Sequence, residues 1–171
     1  SVDFTLYSLQ NQTNANTTWG ATQSLSSFGT VSDDFVYVYY DGSYDNISSE
    51  FPSATPLLES STMNLNGDDR VRIILTADET VIDQFGVTDE DGTGKTWEWT
   101  DSYAIRNNAT GPDAGYNESN WPLPGVSALD GGGSCQGGST FEIMIGGIGV
   151  YTPSGGGDTP PQATFAPLNG A

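Results

Sequence analysis

The 171-residue chain is long enough for one domain with a buried core, and it carries 22 acidic but only 4 basic side chains. The resulting net charge of −18 at pH 7 argues against direct binding to nucleic acid, which needs a basic patch, and against an anionic membrane surface. The absence of histidine removes the usual general base and the usual zinc ligand.

The amino-terminal third predicts strands joined by polar loops. Val2, Phe4 and Leu6 alternate with polar residues, so a strand is expected within residues 1–10, followed by an exposed loop from Gln10 to Thr18. Phe35–Tyr40 is apolar or aromatic on both faces, which predicts a central strand that is buried on at least one side. Over the whole chain, 22 glycines, 9 prolines and 11 % aromatic residues predict an all-β fold of short strands.

The middle of the chain carries the clearest pattern. Asn66-Gly67 is a tight-turn signal, and the strand predicted at Arg70–Leu75 returns through a turn at 77–80 into a second strand at Val81–Phe85. An acidic, glycine-containing loop follows at 88–94. Trp97-Glu98-Trp99 then alternates like a strand.

The remaining residues predict two more strands and a tail. Tyr103–Arg106 is a short strand, and Thr140–Tyr151 is a last strand with a bulge, because its glycines disfavour a helix. Between Asn46 and Phe51 at most one helical turn is expected. After a Gly/Pro linker at 153–161, residues 162–168 form a small apolar tail.

Calcium is the one cofactor that the sequence suggests. Asp89, Asp91 and Thr93 stand at alternate positions before Gly94, and clustered oxygens on a tight turn are what Ca²⁺ prefers. The loop departs from the EF-hand pattern, since its twelfth position is Thr100. Asp68-Asp69 is another candidate, while aspartate and glycine are also simply common in turns.

Other residues indicate an extracellular protein. Cys135 is the only cysteine, so no internal disulfide can form; in a secreted protein such a thiol can pair between chains, but we expect an idle thiol in an exposed glycine loop. Because the chain begins at Ser1 without a leader, we expect a processed protein or an excised fragment. N-glycosylation sequons, which favour a secreted glycoprotein, occur at Asn11, Asn16, Asn46, Asn108 and Asn117.

The tryptophans and tyrosines could line a sugar-binding face or pack in a core. Packing is the more common role in a β-sandwich, and it is the one we expect here. The four tryptophans are Trp19, Trp97, Trp99 and Trp121.

Several motifs together resemble those of the lamin-tail domain family, above all its secreted bacterial versions. They are the opening at Val2–Leu9, the turn at Asn64–Asp69 with its strand, Val81–Gly86, Asp91–Trp97, Arg106–Gly111, Asn117–Trp121 and Ala128–Gly131. The resemblance implies an immunoglobulin-like β-sandwich without catalytic residues over 1–152, with 153–171 as linker and tail. Members occur in nuclear lamins and beside the catalytic domains of extracellular nucleases and phosphatases.

The chain departs from the family at its start, where a strand of the form F-[IV]-E-[IL]-x-N is expected: the sequence starts after that point, so either the strand belongs to a precursor region or something replaces it. A sandwich that lacks a strand exposes unpaired backbone groups, which an added strand can fill. The apolar tail has the spacing for this, with Thr164, Phe165, Ala166 and Leu168 as the inserting residues.

The leading hypothesis is therefore a non-catalytic, secreted structural or adhesion protein that associates with itself or with other extracellular proteins. The alternatives are an accessory domain of a larger extracellular nuclease or phosphatase, and a calcium-dependent module that binds glycans.

Overall fold

The computed structural model describes residues 1–153. In this part of the chain short strands outnumber helices and all but one strand pair is antiparallel, so the all-β prediction is confirmed at that level. The strands are β1 Val2–Asp3, β2 Tyr7–Gln12, β3 Gln23–Ser24, β4 Thr30–Val31, β5 Tyr37–Tyr40, β6 Leu57–Ser60, β7 Arg70–Leu75 and β8 Val81–Phe85; the α-helices are α1 Tyr44–Glu50 and α2 Phe141–Met144.

The main sheet has four antiparallel strands in the order β3-β2-β7-β8. The predicted hairpin is confirmed at both strands, and its turn is closed by a hydrogen bond from the Leu75 amide to the Thr80 carbonyl at 2.9 Å. The pairing of β7 with β8 shifts register between Ile73 and Ile74. Such a bulge bends the strands and increases their twist.

Two smaller sheets accompany the main one. β1 pairs with β4, and β5 runs parallel to β6. The prediction of a central strand at Phe35–Tyr40 is therefore wrong, because this strand begins at Tyr37 and belongs to a two-stranded sheet. A parallel pair needs a crossover. Here the crossover contains α1, whose seven residues also exceed the single turn expected.

Side chains from all three sheets meet in one hydrophobic core. Leu9 and Ile73 come from the main sheet, and Val2 and Val38 from the two smaller sheets pack against the same cluster. This first core consists of Phe4, Leu9, Leu25, Leu65, Val71, Ile73, Phe85, Trp97, Trp99, Ala104 and Trp121.

A second core lies between α1 and the region of α2. It consists of Tyr39, Ile47, Phe51, Ala54, Leu129, Phe141 and Ile145. Phe51 and Phe141 are in contact across it, with ring centroids 6.5 Å apart.

Four predictions of local structure are wrong. Trp97 ends a turn and Glu98-Trp99 is irregular, because both rings are drawn into the first core instead of alternating across a strand. Tyr103–Arg106 contributes only an isolated bridge at Ala104, and Phe4–Leu6 forms a 3-10 turn that separates β1 from β2. The loop predicted from Gln10 begins after Gln12, since β2 continues to that residue.

The last strand, predicted at Thr140–Tyr151, is absent from the described residues. The segment forms the single turn of α2, and Gly146, Gly147 and Gly149 then adopt positive φ angles of 84°, 99° and 68°. These angles break a strand, and glycine adopts them without steric cost.

Some expectations concern residues beyond 153. The tail positions Thr164, Phe165, Ala166 and Leu168 lie outside the described residues, so the predicted division at 152 stays a prediction. Over residues 1–153, none of the helices has the length and apolar character needed to cross a bilayer.

Candidate functional site

Arg70, the first residue of β7, is completely buried and ties two loops to the main sheet. Its Nε donates to Gln12 Oε1 at 3.1 Å, and its Nη2 donates to the carbonyl oxygen of Asn16 at 2.9 Å. Its Nη1 donates to the carbonyl oxygens of Asn14 and Glu90. One guanidinium group thus fixes the polar loop after β2 and the acidic loop at 88–94.

A turn of two buried carboxylates lies immediately before Arg70. Asp69 is 2 % exposed, and its two oxygens accept from the amides of Asn14 at 2.7 Å and Asn66 at 3.2 Å. Burial raises the pKa of Asp69 to about 6 despite these two amides, and the charge of Asp68 adds to the rise.

Asp68 is 8 % exposed and only half satisfied. Its Oδ2 accepts from the Thr93 hydroxyl at 3.0 Å, whereas its Oδ1 is buried without a hydrogen-bond partner among residues 1–153. A buried oxygen without a partner is uncommon in a folded protein. Leaving a buried polar group unpaired costs about 1 to 3 kcal/mol, and the cost is larger when the group is charged.

The three residues predicted to bind calcium are not brought together. Asp89 Oδ1 accepts from Gln12 Nε2 at 2.6 Å, and Asp91 Oδ1 accepts from the Thr93 amide at 2.9 Å within its own turn. The Thr93 hydroxyl points instead to Asp68. No group of three acidic or cysteine side chains converges as a metal site within residues 1–153, and a calcium site at Asp89, Asp91 and Thr93 stays a prediction.

Glu50, the last residue of α1, anchors the glycine-rich loop at 131–141. Its Oε1 accepts from the amide of Ser134 at 2.7 Å and also from the hydroxyl of that residue, and its Oε2 accepts from the amide of Phe141 at 2.9 Å. Burial alone would raise the pKa of Glu50, but these bonds, with a further one from the Cys135 amide, hold the pKa below its ordinary value.

The other basic side chains also pair within the chain, two of them in largely buried positions. Arg106 Nη2 is ion-paired with Asp83, both side chains being 1 % exposed, and its guanidinium lies 4.3 Å from the centre of the Trp121 ring. Arg72 donates to Gln10 Oε1 and stacks on Trp19 at 4.1 Å. Lys95 pairs with Glu90 at the surface, at 3.0 Å.

The tryptophans are packed as expected. Trp97, Trp99 and Trp121 are buried in the first core, where Phe85 contacts each of them edge-on. For these three tryptophans the predicted role in core packing is confirmed, because their buried rings cannot line a sugar-binding face. Trp19 is half-buried beneath Arg72.

The sequons differ in accessibility. Asn16, Asn46, Asn108 and Asn117 are exposed, whereas Asn11 is half-buried in β2, with its side chain beside Gly20. Cys135 is exposed as expected, in the 3-10 turn Ser134–Gln136. Glycosylation itself stays a prediction.

The sequence reasoning missed Glu50, Arg70 and Arg106. One signal was available: when a chain with 22 acids keeps only four basic residues, each of the four is a candidate for a specific role. Glu50 carried no such signal, because its partners lie 84 and 91 residues away.

Comparison with protein-family models, with curated proteins and with solved structures gives no significant match. The resemblance to the lamin-tail domain therefore rests on the sequence motifs alone.

Proposed function

We propose that the chain is a non-catalytic, secreted structural protein that associates with copies of itself, built on an immunoglobulin-like β-sandwich of the lamin-tail type. The sandwich is supported by the first core, in which side chains of the main sheet and of the two smaller sheets pack into one cluster. Secretion is supported by the four exposed sequons.

The observation that carries self-association is an exposed apolar surface near the end of the described chain. Ile143 is 69 % exposed, Met144 is 36 % exposed, and Val150, further along the same segment, is 55 % exposed. We call these three residues the C-terminal apolar surface. Exposed large apolar side chains that occur close together in one segment are candidates for a contact with another chain.

The partner that fits this surface best is a second copy of the chain. At a net charge of −18, two copies repel each other over most of their surfaces, so contact is favoured where apolar side chains replace carboxylates. The apolar tail follows the C-terminal apolar surface in sequence and can extend the same contact.

The rest of the described chain suits a rigid subunit. Three loops are fastened by buried charges, two of them by Arg70 and one by Glu50. A subunit that presents one fixed contact surface loses less conformational entropy when it assembles.

Sedimentation velocity of the 171-residue chain, with electron microscopy of the same sample, tests this proposal. We expect concentration-dependent oligomers, and we expect the double variant I143S/V150S to be mainly monomeric. Burying one aliphatic side chain contributes about 1.5 to 3 kcal/mol, so losing two weakens association by roughly 100-fold or more. Deletion of residues 157–171 should reduce assembly further.

The matched control is L6S/V126S, which replaces two side chains that are 53 % and 52 % exposed elsewhere. It should assemble like the unchanged chain. A chain that stays monomeric at every concentration would contradict the proposal and favour the accessory-domain alternative. Equal assembly of the two double variants would exclude the C-terminal apolar surface.

A further inference from the structure

The turn at Asp68-Asp69 contains more negative charge than its surroundings neutralise. Both carboxylates are more than nine-tenths buried, and they lie close enough for the charge of Asp68 to act on Asp69. The nearest cation is Arg70, but the hydrogen bonds of its guanidinium go to Gln12 and to three backbone carbonyls. Asp89 and Asp91 add further negative charge around the same guanidinium.

The oxygen atoms of this turn that can still accept a ligand indicate which kind of ligand the turn can bind. Asp68 Oδ1 is buried and unpartnered within residues 1–153, while Oδ2 of the same carboxylate is held by the Thr93 hydroxyl. Each Asp69 oxygen accepts only one amide and keeps a second lone pair. The turn therefore offers several hard oxygen atoms and lacks a positive charge among them.

We propose that this turn is a binding site for one divalent cation of the Ca²⁺ type, with Asp68 Oδ1 as the principal ligand. Asp69 and the Thr93 hydroxyl supply further oxygens, and water completes the six to eight ligands that Ca²⁺ takes. The site differs from the one that the alternate positions Asp89, Asp91 and Thr93 predict, since only Thr93 is common to both.

The contacts around this turn indicate how a bound cation would affect the fold. The Asn14 amide holds the polar loop to Asp69, and the Gly92 amide donates to the carbonyl oxygen of Asp68 at 3.0 Å. A cation on this turn joins both loops to the start of β7 and removes the repulsion between the two carboxylates. Binding therefore stabilises the folded chain, because the unfolded chain does not hold these oxygens together.

Terbium luminescence tests the site directly, because Tb³⁺ replaces Ca²⁺ and is sensitised by a nearby indole. Trp97 is well placed for this: its ring packs against Gly92, the residue whose amide contacts Asp68. We expect saturable Tb³⁺ emission on the full chain that Ca²⁺ displaces, and a rise in thermal midpoint when CaCl₂ replaces EDTA. Affinities of extracellular calcium modules, about 0.1 to 1 mM, set the range to titrate.

Asp68→Asn keeps the shape of the side chain and removes the ligand charge. It should weaken Tb³⁺ and Ca²⁺ binding by about tenfold or more and remove most of the calcium-dependent rise in midpoint. In EDTA this variant should be at least as stable as the unchanged chain, since a buried unpaired charge is gone. Asp130→Asn, which changes an exposed aspartate, is the matched control and should bind normally.

Three outcomes would overturn the proposal. The first is an unchanged chain that gives neither saturable emission nor a calcium-dependent midpoint. The second is a folded Asp68→Asn variant that binds as the unchanged chain does. The third is loss of binding in Asp89→Asn or Asp91→Asn with binding retained in Asp68→Asn. If Asp68→Asn does not fold, Thr93→Val takes its place, and normal binding by that variant counts against the site.

Discussion

Glu50 orders a loop that has no regular structure of its own. An acidic residue at the carboxyl end of a helix is electrostatically unfavourable, so its presence there needs a compensating contact. The amides and hydroxyl of the loop at 131–141 supply that contact. Glu50 therefore holds α1 and the loop together at the edge of the second core.

The low pKa of Glu50 predicts a dependence of stability on acid. Because the folded-state pKa is lowered, the stabilising contribution is complete above the unfolded-state value, about 4.3, and is lost as the pH falls through the folded-state value. Glu50→Gln should lower the free energy of unfolding by about 2 to 3 kcal/mol at pH 7, with a smaller loss at pH 3. Urea denaturation at both pH values measures this.

The control is Glu118→Gln, which neutralises an exposed glutamate and should change little at either pH. An equal loss for Glu50→Gln at pH 7 and pH 3 would show that the charge does not hold the loop.

For individual residues, the sequence predicted which side chains are buried better than it predicted which polar groups bond to each other. Burial of Trp97 and Trp121 follows from their size and apolar character, whatever their partners are. The bonds of Glu50 and Arg70 depend on which distant loops meet them, and local pattern carries no information about that.

Among the elements, the hairpin of β7 and β8 was predictable because its strands and turn are contiguous in sequence. The pairing of β5 with β6 was not, since the partners meet only after the crossover through α1. Trp97–Trp99 alternates like a strand, but two large rings can reach the same core from a turn. The sequence offered both Asp89-Asp91 and Asp68-Asp69 as acidic candidates, and alternate spacing could not tell that Asp68 and Asp69 are the buried pair.

The turn before β7 depends on Gly67. Its φ is 102°, and an added Cβ would lie 2.4 Å from the backbone nitrogen and Cα of Thr100. The Gly67 carbonyl also accepts from the Trp99 amide at 2.8 Å. The close approach of these two backbone segments places the tryptophan-bearing turn over the first core.

Gly67→Ala should therefore lower the free energy of unfolding by roughly 3 kcal/mol or more, from backbone strain and from displacement of Thr100. Chemical denaturation followed by tryptophan fluorescence measures the loss. Gly115→Ala is the matched control, because an added Cβ there meets nothing within 4 Å and its φ is not positive. A small loss for Gly67→Ala would mean that the two segments can separate without harm.

For the whole molecule, the charge balance is the dominant constraint. Within residues 1–153 all four basic side chains make ion pairs or hydrogen bonds to other residues of the chain, and most of the acids have no basic side chain paired with them. Compaction brings these carboxylates closer together, so their mutual repulsion disfavours the folded state.

Added salt should therefore stabilise the chain, most steeply at low concentration. The Debye length falls from about 30 Å at 0.01 M to about 10 Å at 0.1 M, so we expect most of the rise in urea midpoint below about 0.3 M NaCl. A non-electrolyte at the same osmolality should not reproduce this early rise. A flat or falling midpoint would contradict it.

Arg70 has a consequence for how the molecule opens. The carbonyls of Asn14, Asn16 and Glu90 belong to loops, yet each accepts from a guanidinium that emerges from the fully buried start of β7. Neither loop can separate from the main sheet without leaving the buried guanidinium of Arg70 with unpaired N–H groups. We therefore expect amide hydrogen exchange to place the two loops in the same cooperative unit as the main sheet, with irregular backbone here opening as slowly as a strand.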